Sequence, residues 1–581
     1  MKKLRVVDYI IDKVYLAGAK HAFTVTGGGA MFLNDAIAAH EKMAHVCSHH
    51  EQASSMAAFA YAKYTGAPAL VCPTTGCGST NVITGLLSAW QDSVPVVFIS
   101  GNVNLHQISP AGVRNLGVQE ANIIEIVKPI TKYAKLIESV NEVEDVVEEA
   151  LRLAVTGRPG PVWIDVPMNI QGKEMPAASL SLIEILKKSQ RPLILAGGGI
   201  CCSQVSREAF KNYISKVKIP VVTTFNAIDL IESNNPYFVG RVGIKGTRAG
   251  NFAMQNSDLL LVLGSRLAVP VTGYDYKTFA RGAKIIVIDI DKVEHAKNTI
   301  KIDKFIHSDA KSFINYHKKL VDDLGGVNVS DWHDKCLRWK KLWPIISSTK
   351  SNKDGIDLYD FVGKLNAYKP DESVVIADAG SAYYVCAQAT EIKKNNRYIT
   401  SSAQAEMGFT VPACVGAAFA GSSCVIGVTG DGSMQTNIQE LQTISHHNLP
   451  IKLFVWNNNG YLSIRTTQKK FFEGREIGTD QESGISFPSL EKIAKAYNIN
   501  YVNIADYEAL TPSMSDIFKD DRPMLIEVIC KKWQEIIPTV QSKKNKDGTL
   551  VSAPLEDMYP FLSHKELADN MIIDILNSEV D

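Results

Sequence analysis

The chain has no excess of charge of either sign: Lys plus Arg and Asp plus Glu number 61 each among 581 residues. A nucleic-acid partner calls for a basic surface, and this balance gives no sign of one. No apolar run approaches the roughly 20 residues needed to span a bilayer, so no membrane-spanning segment is expected. The ten cysteines lack zinc-site spacing: Cys72 and Cys77 flank a turn, and Cys201 and Cys202 are adjacent. They read as free thiols in a reducing compartment. Met1 to Asp8 is charged and has no apolar signal region, so a cytoplasmic location is expected. What remains is ordinary globular composition and enough length for about three domains.

The pattern along the chain repeats three times. Residues 1–175 alternate helical segments with apolar runs at Ala22 to Val25, Ala69 to Cys72, Val94 to Ser100 and Val162 to Val166. Residues 186–345 do the same at Pro192 to Ala196, Pro220 to Thr223, Leu259 to Leu263 and Lys284 to Ile290. Residues 355–535 form the third set, after a polar linker at Lys350 to Gly355. Such alternation predicts α/β architecture, here three doubly wound parallel-sheet domains. In the tail, 536–581, Ser542 to Gly548 reads as a mobile loop, and Leu555 to Leu562 is apolar enough to dock back on the body.

The most specific signal lies in the third set. An apolar run, Cys424 to Val428, feeds a turn at Gly430-Asp431-Gly432-Ser433; a helical stretch, Asn437 to His446, follows; a second apolar run, Ile451 to Trp456, ends in asparagines. This is a β-α-β unit whose strand ends bring hard oxygen ligands to one sheet edge. Asp431 offers a carboxylate, Asn458 an amide oxygen and Gly460 a carbonyl, a set suited to Mg²⁺ completed by phosphate oxygens and water. Gly430 and Gly432 let backbone N–H groups approach phosphate. Asp431 and Asn458 stand 27 residues apart, which resembles the diphosphate–metal motif of thiamine diphosphate (ThDP) enzymes.

A ThDP enzyme needs a carboxylic acid at the pyrimidine ring to activate the coenzyme. Glu51 in His49-His50-Glu51-Gln52 opens an Ala-rich helix, Ala53 to Tyr64, where a Glu is otherwise an ordinary capping residue. Cys47 to Gln52, Tyr61 to Gly66 and Thr75 to Asn81, taken in order, resemble the pyrimidine-binding domain of acetolactate synthases and their relatives. The resemblance implies that Glu51 is the activator and that Thr75 lies in the coenzyme pocket. Ala403 to Phe409 matches the stretch in which Met407 would wedge the coenzyme into its bent shape and the Ala405 carbonyl would accept from its amino group. By itself Met407 reads as core. Gly380 and Ser381 fall at a diphosphate-contact position. Ser433, Tyr461 and Leu462 complete the implied coenzyme contacts. His49, His50 and Gln119 are candidates for acid–base or polar roles, with a structural role as the plainer reading of either histidine. The resemblance also implies a homodimer or homotetramer with active sites between subunits.

It covers nearly the whole chain, including Gly117 to Glu120, Ser257 to Leu260 and Ile288 to Asp291. Gly460 to Ile464, Ser486 to Pro488 and Pro554 to Met558 look most like relatives in sugar and surface-polysaccharide pathways. Two departures bear on substrate. Where acetolactate synthases carry an Asp-Arg pair for the acceptor's carboxylate, this chain has Val269 and Pro270. Where they carry a pocket-lining Trp, it has Thr467. Flavin is left open: Arg266, Asp289 and Asp291 match flavin positions, Gly197-Gly198-Gly199 follows a strand, and Lys245 replaces a His. The implied activity is a ThDP- and Mg²⁺-dependent carboligase that decarboxylates pyruvate or a similar 2-keto acid and passes the acyl carbanion to a carbonyl acceptor such as a keto sugar. Simple 2-keto acid decarboxylation or C–C cleavage is an alternative, as is a ThDP-fold protein without turnover, which would be expected to lack Glu51 or the metal ligands.

Overall fold

A computed structural model describes residues 4–110, 112–175, 182–202, 204–297, 299–310, 313–314, 317, 329–346, 354–544 and 550–576. The chain divides into two compact units, Met1–Ile185 and Leu186–Asp581.

The first unit is built on a six-stranded sheet. Its strands are β1 (His21–Thr24), β2 (Ala44–Cys47), β3 (Ala69–Cys72), β4 (Val96–Asn102), β5 (Tyr133–Leu136) and β6 (Val162–Pro167), in the order β2-β1-β3-β4-β6-β5. All its pairings are parallel. Strands β3, β4 and β6 are buried at every position, as near-continuous apolar strands must be when helices cover both faces.

The second unit holds two more six-stranded parallel sheets. One contains β7 (Pro192–Ala196), β8 (Val221–Thr223), β9 (Phe238–Arg241), β10 (Leu259–Leu263), β11 (Lys284–Asp289) and β12 (Lys304–His307), in the order β12-β11-β10-β7-β8-β9. The other contains β13 (Ser373–Ala377), β14 (Arg397–Ile399), β15 (Cys424–Gly430), β16 (Ile451–Asn457), β17 (Asn500–Ile504) and β18 (Met524–Ile529), in the order β14-β13-β15-β16-β18-β17. The α/β class with three doubly wound parallel sheets is therefore as the sequence predicts. The first and third sheets share one strand order; the middle one has the order of dinucleotide-binding folds. Ligands of such sheets bind outside the carboxyl ends of the strands where the order reverses. In the third sheet that point falls between β13 and β15, the strand that runs into Gly430-Asp431.

At the corresponding point of the middle sheet, the glycines have an immediate packing reason. A Cβ on Gly197 would stand 2.3 Å from the Gly264 carbonyl oxygen, and one on Gly199 2.9 Å from the Gly264 Cα. The loops after β7 and β10 thus touch backbone to backbone.

The tail corrects one expectation. Ser542–Lys544 pairs antiparallel with Leu550–Ser552, so the described part of the Ser542 to Gly548 run is a strand of a hairpin; residues 545–549 lie outside the described residues, as do 350–353 of the linker. Leu555 and Met558 are buried in one cluster with Leu260 and Val262 of β10. Asn251 Nδ2 donates to the Leu555 carbonyl at 3.0 Å, and Arg281 pairs with the buried Glu556 at 2.7 Å. Among the described residues no helix is long and apolar enough to cross a membrane.

Inside the first unit a buried polar chain ties β4 and β6 to the strand-end loops. Trp163 Nε1 donates to Ser100 Oγ (2.8 Å), Ser100 Oγ to Asp165 Oδ1 (2.5 Å) and Asn102 Nδ2 to Asp165 Oδ2 (2.6 Å). Burial pushes the Asp165 carboxyl up to about 6 despite those donors. A carboxyl whose folded pKa is raised stabilises the fold at low pH, and that share is lost as pH rises through the folded value. Asp165→Asn is expected to remove a loss of about 3 kcal/mol between pH 4 and 7, from roughly 2 pKa units at ~1.4 kcal/mol each. Urea unfolding of both proteins across that range checks it; parallel pH profiles would refute the assignment.

Candidate active site

The carboxyl edge of the third sheet gathers most of the sequence-predicted residues of the second unit. Strand β15 extends to Gly430, and Asp431–Met434 is a short helical turn rather than a free loop. The helix expected from Asn437 to His446 is also modified. A 3₁₀ segment, Gln435–Glu440, kinks at Asn437 before the α-helix Leu441–His446. The kink has a cause: Asn437 Nδ2 donates to the Gly408 carbonyl at 3.0 Å, tying this segment to the Ala403 to Phe409 stretch.

Asp431 is buried, and its two oxygens accept from the N–H groups of Gly432 (2.8 Å) and Gly460 (3.0 Å). The second bond draws the Asn458-Asn459-Gly460 loop onto the carboxylate. Burial raises the Asp431 carboxyl to about 6, opposed by those N–H donors. Asn458 Oδ1 is buried and has no hydrogen-bond partner among the described residues. A buried amide oxygen left bare is costly unless something else satisfies it, and a hard cation does so. Among the described residues no group of three or more His, Cys, Asp or Glu could hold a metal; the donor set here is one carboxylate with amide and carbonyl oxygens.

The glycines divide by role. A Cβ at Gly430 would meet nothing within 4 Å, which leaves the sheet edge open there. One at Gly432 would lie 2.2 Å from the Tyr461 ring, so Gly432 admits that ring. Gly460 sits at φ 147°, where an added Cβ would come within 2.1 Å of the Thr479 carbonyl oxygen and 2.2 Å of Arg465 Nη2. Gly460→Ala is therefore expected to destabilise the protein by about 1–3 kcal/mol and to displace the asparagine loop. In melting curves with and without ThDP plus Mg²⁺, the ligand-induced rise should shrink; a full rise would contradict this account.

Tyr461 caps and Leu462 opens the helix Leu462–Phe471. Gly380, at φ 63°, opens the helix Gly380–Ala389 with Ser381, and its Cβ position is 3.2 Å from Ser463 Oγ. The Ser433 hydroxyl accepts from the Gly408 N–H (2.9 Å) and donates to Asp378 Oδ2 (2.8 Å), so it is engaged within the chain. Ala405 holds φ 47°, and Met407 is 46% exposed, not core.

Two residues missed in the sequence reading build this edge. Asp378 is buried directly after β13; it also accepts from Thr429 Oγ1 (3.0 Å) and the Thr410 N–H (3.4 Å), and burial raises its carboxyl. Its signal was available: it follows an apolar run as Asp431 does. Arg465 is fully buried, donating to the carbonyls of Asn459 and Lys532 at 2.9 Å each. It pins the asparagine loop, but reads as a surface residue of a polar helix.

In the first unit, the helix spans Glu51–Thr65 and His50 is its N-cap, with Nδ1 accepting from the Gln52 N–H at 3.2 Å. His50 is exposed, and the cap is its visible job. Glu51 is thereby not the cap. Its Oε2 accepts from Asn81 Nδ2 at 2.9 Å, and a Cβ at Gly78 would sit 3.3 Å from Oε1. Thr75 is buried and donates to Asn102 Oδ1 (3.2 Å) and the Gln119 carbonyl (3.3 Å). Gln119 itself holds φ 59°, and the Gly76 Cβ position lies 2.1 Å from its carbonyl oxygen. Thr75 and Gln119 are thus brought together, anchored through Asn102 to Asp165. Non-glycine residues in the left-handed region, as at Gln119, Ala405 and Asn459 (φ 57°), are held there only by over-determined surroundings.

Three parallel α/β domains, the first and last in the chain of one topology and the middle one dinucleotide-type, with a carboxylate–asparagine edge on the third, define the class of thiamine diphosphate enzymes. Three family models match: thiamine pyrophosphate enzyme, N-terminal TPP binding domain (residues 4–126), central domain (181–316) and C-terminal TPP binding domain (378–528). The acetolactate synthase isozyme 2 large subunit of Escherichia coli (strain K12) is 30% identical over 562 residues, 92% of this chain and 97% of that protein. The acetolactate synthase large subunit of Lactococcus lactis subsp. lactis (strain IL1403) is 31% identical, over 91% and 93%. Acetolactate synthase 3, chloroplastic, of Brassica napus is 28% identical, over 92% and 85%. The chain belongs to the acetolactate synthase-like family of thiamine diphosphate-dependent enzymes acting on 2-keto acids.

Proposed function

We propose that the protein is a Mg²⁺-dependent carboligase that decarboxylates pyruvate or a similar 2-keto acid and joins the acyl unit to a carbonyl acceptor, a keto sugar or its nucleotide derivative. The observation that carries the cation is the bare, buried Asn458 Oδ1 on the loop whose Gly460 N–H binds the buried Asp431 carboxylate. Asp431, Asn458 and the Gly460 carbonyl would hold Mg²⁺. Gly380, Ser381, Gly430 and the Ser433 backbone would face the diphosphate. When bound, the coenzyme supplies the electron sink for loss of CO₂. The chain's part is to seat it. Glu51 holds a proton at its carboxyl for the pyrimidine ring, with Asn81 fixing the other oxygen. Ala405 and Met407 orient the ring. Gln119 lines its side of the pocket, and His50 stands at the rim. The half-exposed Met407 suits a homo-oligomer in which a second copy covers it. The strand order of the middle sheet supports a nucleotide such as FAD there, whereas the glycines after β7 are already accounted for by packing.

A second reading, acetolactate synthesis from two pyruvates, draws on the names of the relatives. Against it stand Val269 and Pro270, which offer no charged fork to a second carboxylate, and the exposed Thr467. Purified protein given pyruvate, ThDP and Mg²⁺, with products identified by mass spectrometry, separates the two. CO₂ release accelerated by a keto-sugar nucleotide supports the proposal; efficient acetolactate from pyruvate alone overturns it.

A further inference from the structure

Lys245 is a cation with no ion-pair partner among the described residues, on a loop fixed from several sides. The Ile244 N–H donates to the Pro270 carbonyl (2.9 Å), the Val540 N–H to the Ile244 carbonyl (2.8 Å), and Gln388 Nε2 to the Lys245 carbonyl (2.9 Å). Asn251 clamps Gly243 through both its N–H and its carbonyl, each at 2.9 Å. Gln388 is buried and held in turn by the Tyr359 hydroxyl. Rigidity of this kind holds a side chain to one place. Yet among the described residues no carboxylate pairs with the Lys245 ammonium and no oxygen accepts from it. The ammonium faces the Tyr384 ring, 5.3 Å from Nζ to the centroid.

The neighbours point to an anion. Burial pulls the Lys245 ammonium down to about 8, and the nearby Lys470 pushes the same way; no acid opposes them. Lys470 Nζ donates to Gln541 Oε1 at 3.1 Å and likewise has no carboxylate among the described residues. Two cations converge with no counter-charge among the described residues, where a negatively charged ligand would relieve the repulsion and offset the burial of Lys245. The place is also right. Tyr384 lies four residues into the helix that Gly380 opens, hence on the same face and about 6 Å along it. Lys470 lies seven residues beyond Ser463, again on one face, about 10 Å along the helix that follows the asparagine loop. Gly380 and Ser463 meet at the sheet edge. The cationic pair therefore lies outward along both helices from that edge.

We infer that Lys245, backed by Lys470, holds the negatively charged group, phosphate or carboxylate, of the acceptor substrate. This rests on the carboligase reading for the word acceptor, but not for the anion site itself. The loop that carries Lys245 is hydrogen-bonded to Pro270, so the ammonium serves the region where Val269 and Pro270 offer no charge.

The test titrates ThDP- and Mg²⁺-loaded protein with glucose 6-phosphate, glucuronate and glucose in a calorimeter; the three share a sugar body and differ in charge. One of the two anions should bind and glucose should not, which also identifies the group as phosphate or carboxylate. Lys245→Met should weaken that anion by about 10- to 100-fold, the loss of one charge-assisted contact. Lys245→Arg should keep it within a few-fold, and Lys470→Met should cost less than Lys245→Met. Wild-type protein that binds neither anion, or Lys245→Met with undiminished affinity, overturns the inference. So does a Lys245-dependent FAD affinity with no response to either sugar anion. Failure of the carboligase reading would look different: no CO₂ from any 2-keto acid, with Lys245-dependent anion binding intact.

Discussion

Glu51→Gln is expected to lower 2-keto acid consumption by about 10²- to 10⁴-fold, the usual worth of a positioned acid–base group, while ThDP still binds within a few-fold of wild type. The geometry makes this a clean replacement. His50 caps the helix, so the Glu51 side chain is not needed for helix stability. A glutamine amide oxygen can go on accepting from Asn81 Nδ2, the one hydrogen bond the Glu51 carboxylate makes among the described residues. What the amide cannot do is lend and recover a proton at the pyrimidine ring. Undiminished pyruvate turnover by the variant, with ThDP binding measured alongside, would refute the role. Asn81→Ala should give a smaller loss, because it frees the carboxylate to rotate without removing it.

Asp431→Ala is expected to abolish Mg²⁺-dependent ThDP binding, at least about 100-fold in affinity, since the only carboxylate of the proposed ligand set disappears. The companion variant Asp431→Asn isolates charge from shape: its amide oxygen can still accept from one of the two N–H groups. Burial works against the ionised carboxylate in the metal-free protein. Asp431→Asn should therefore leave the metal-free protein no less stable near neutral pH while losing the coenzyme. Equilibrium dialysis of ThDP against Mg²⁺ concentration, together with urea unfolding of the metal-free proteins, reads both. Unchanged ThDP affinity in the alanine variant would remove Asp431 from the ligand set.

How far the sequence carried depended on burial. The apolar runs it marked are strands β1, β3, β4, β6, β7, β8, β10, β11, β15 and β16, each off by at most two or three residues. The strands it did not mark include both edges of every sheet. The edge strand β2 is exposed along its whole length, and β5 and β12 are half-buried throughout, so none shows a continuous apolar run. The edge strand β9 is buried but contains Gly240 and Arg241, and interior β18 is interrupted by Glu527, which accepts from Asn457 Nδ2. At the site, motif spacing marked the proposed ligands but not what holds their segments in place. Asp378 and Arg465 act through contacts between segments far apart in sequence, which no local pattern encodes.

Arg241 gives the helix Gly380–Ala389 a role beyond its first turn. The guanidinium is buried and donates to the carbonyls of Ala387 (2.9 Å), Gln388 (2.7 Å) and Thr390 (2.5 Å), meeting the negative end of the helix dipole with a cation. The other end is Gly380, at the coenzyme edge. Ten residues of helix, about 15 Å, thus form a strut footed on the middle sheet and bearing on the third. A strut carries load in both directions. Loss of Arg241 is then expected to unseat the far end of the helix, so a survey for loss of coenzyme should strike Arg241 as well as the residues proposed to face the diphosphate.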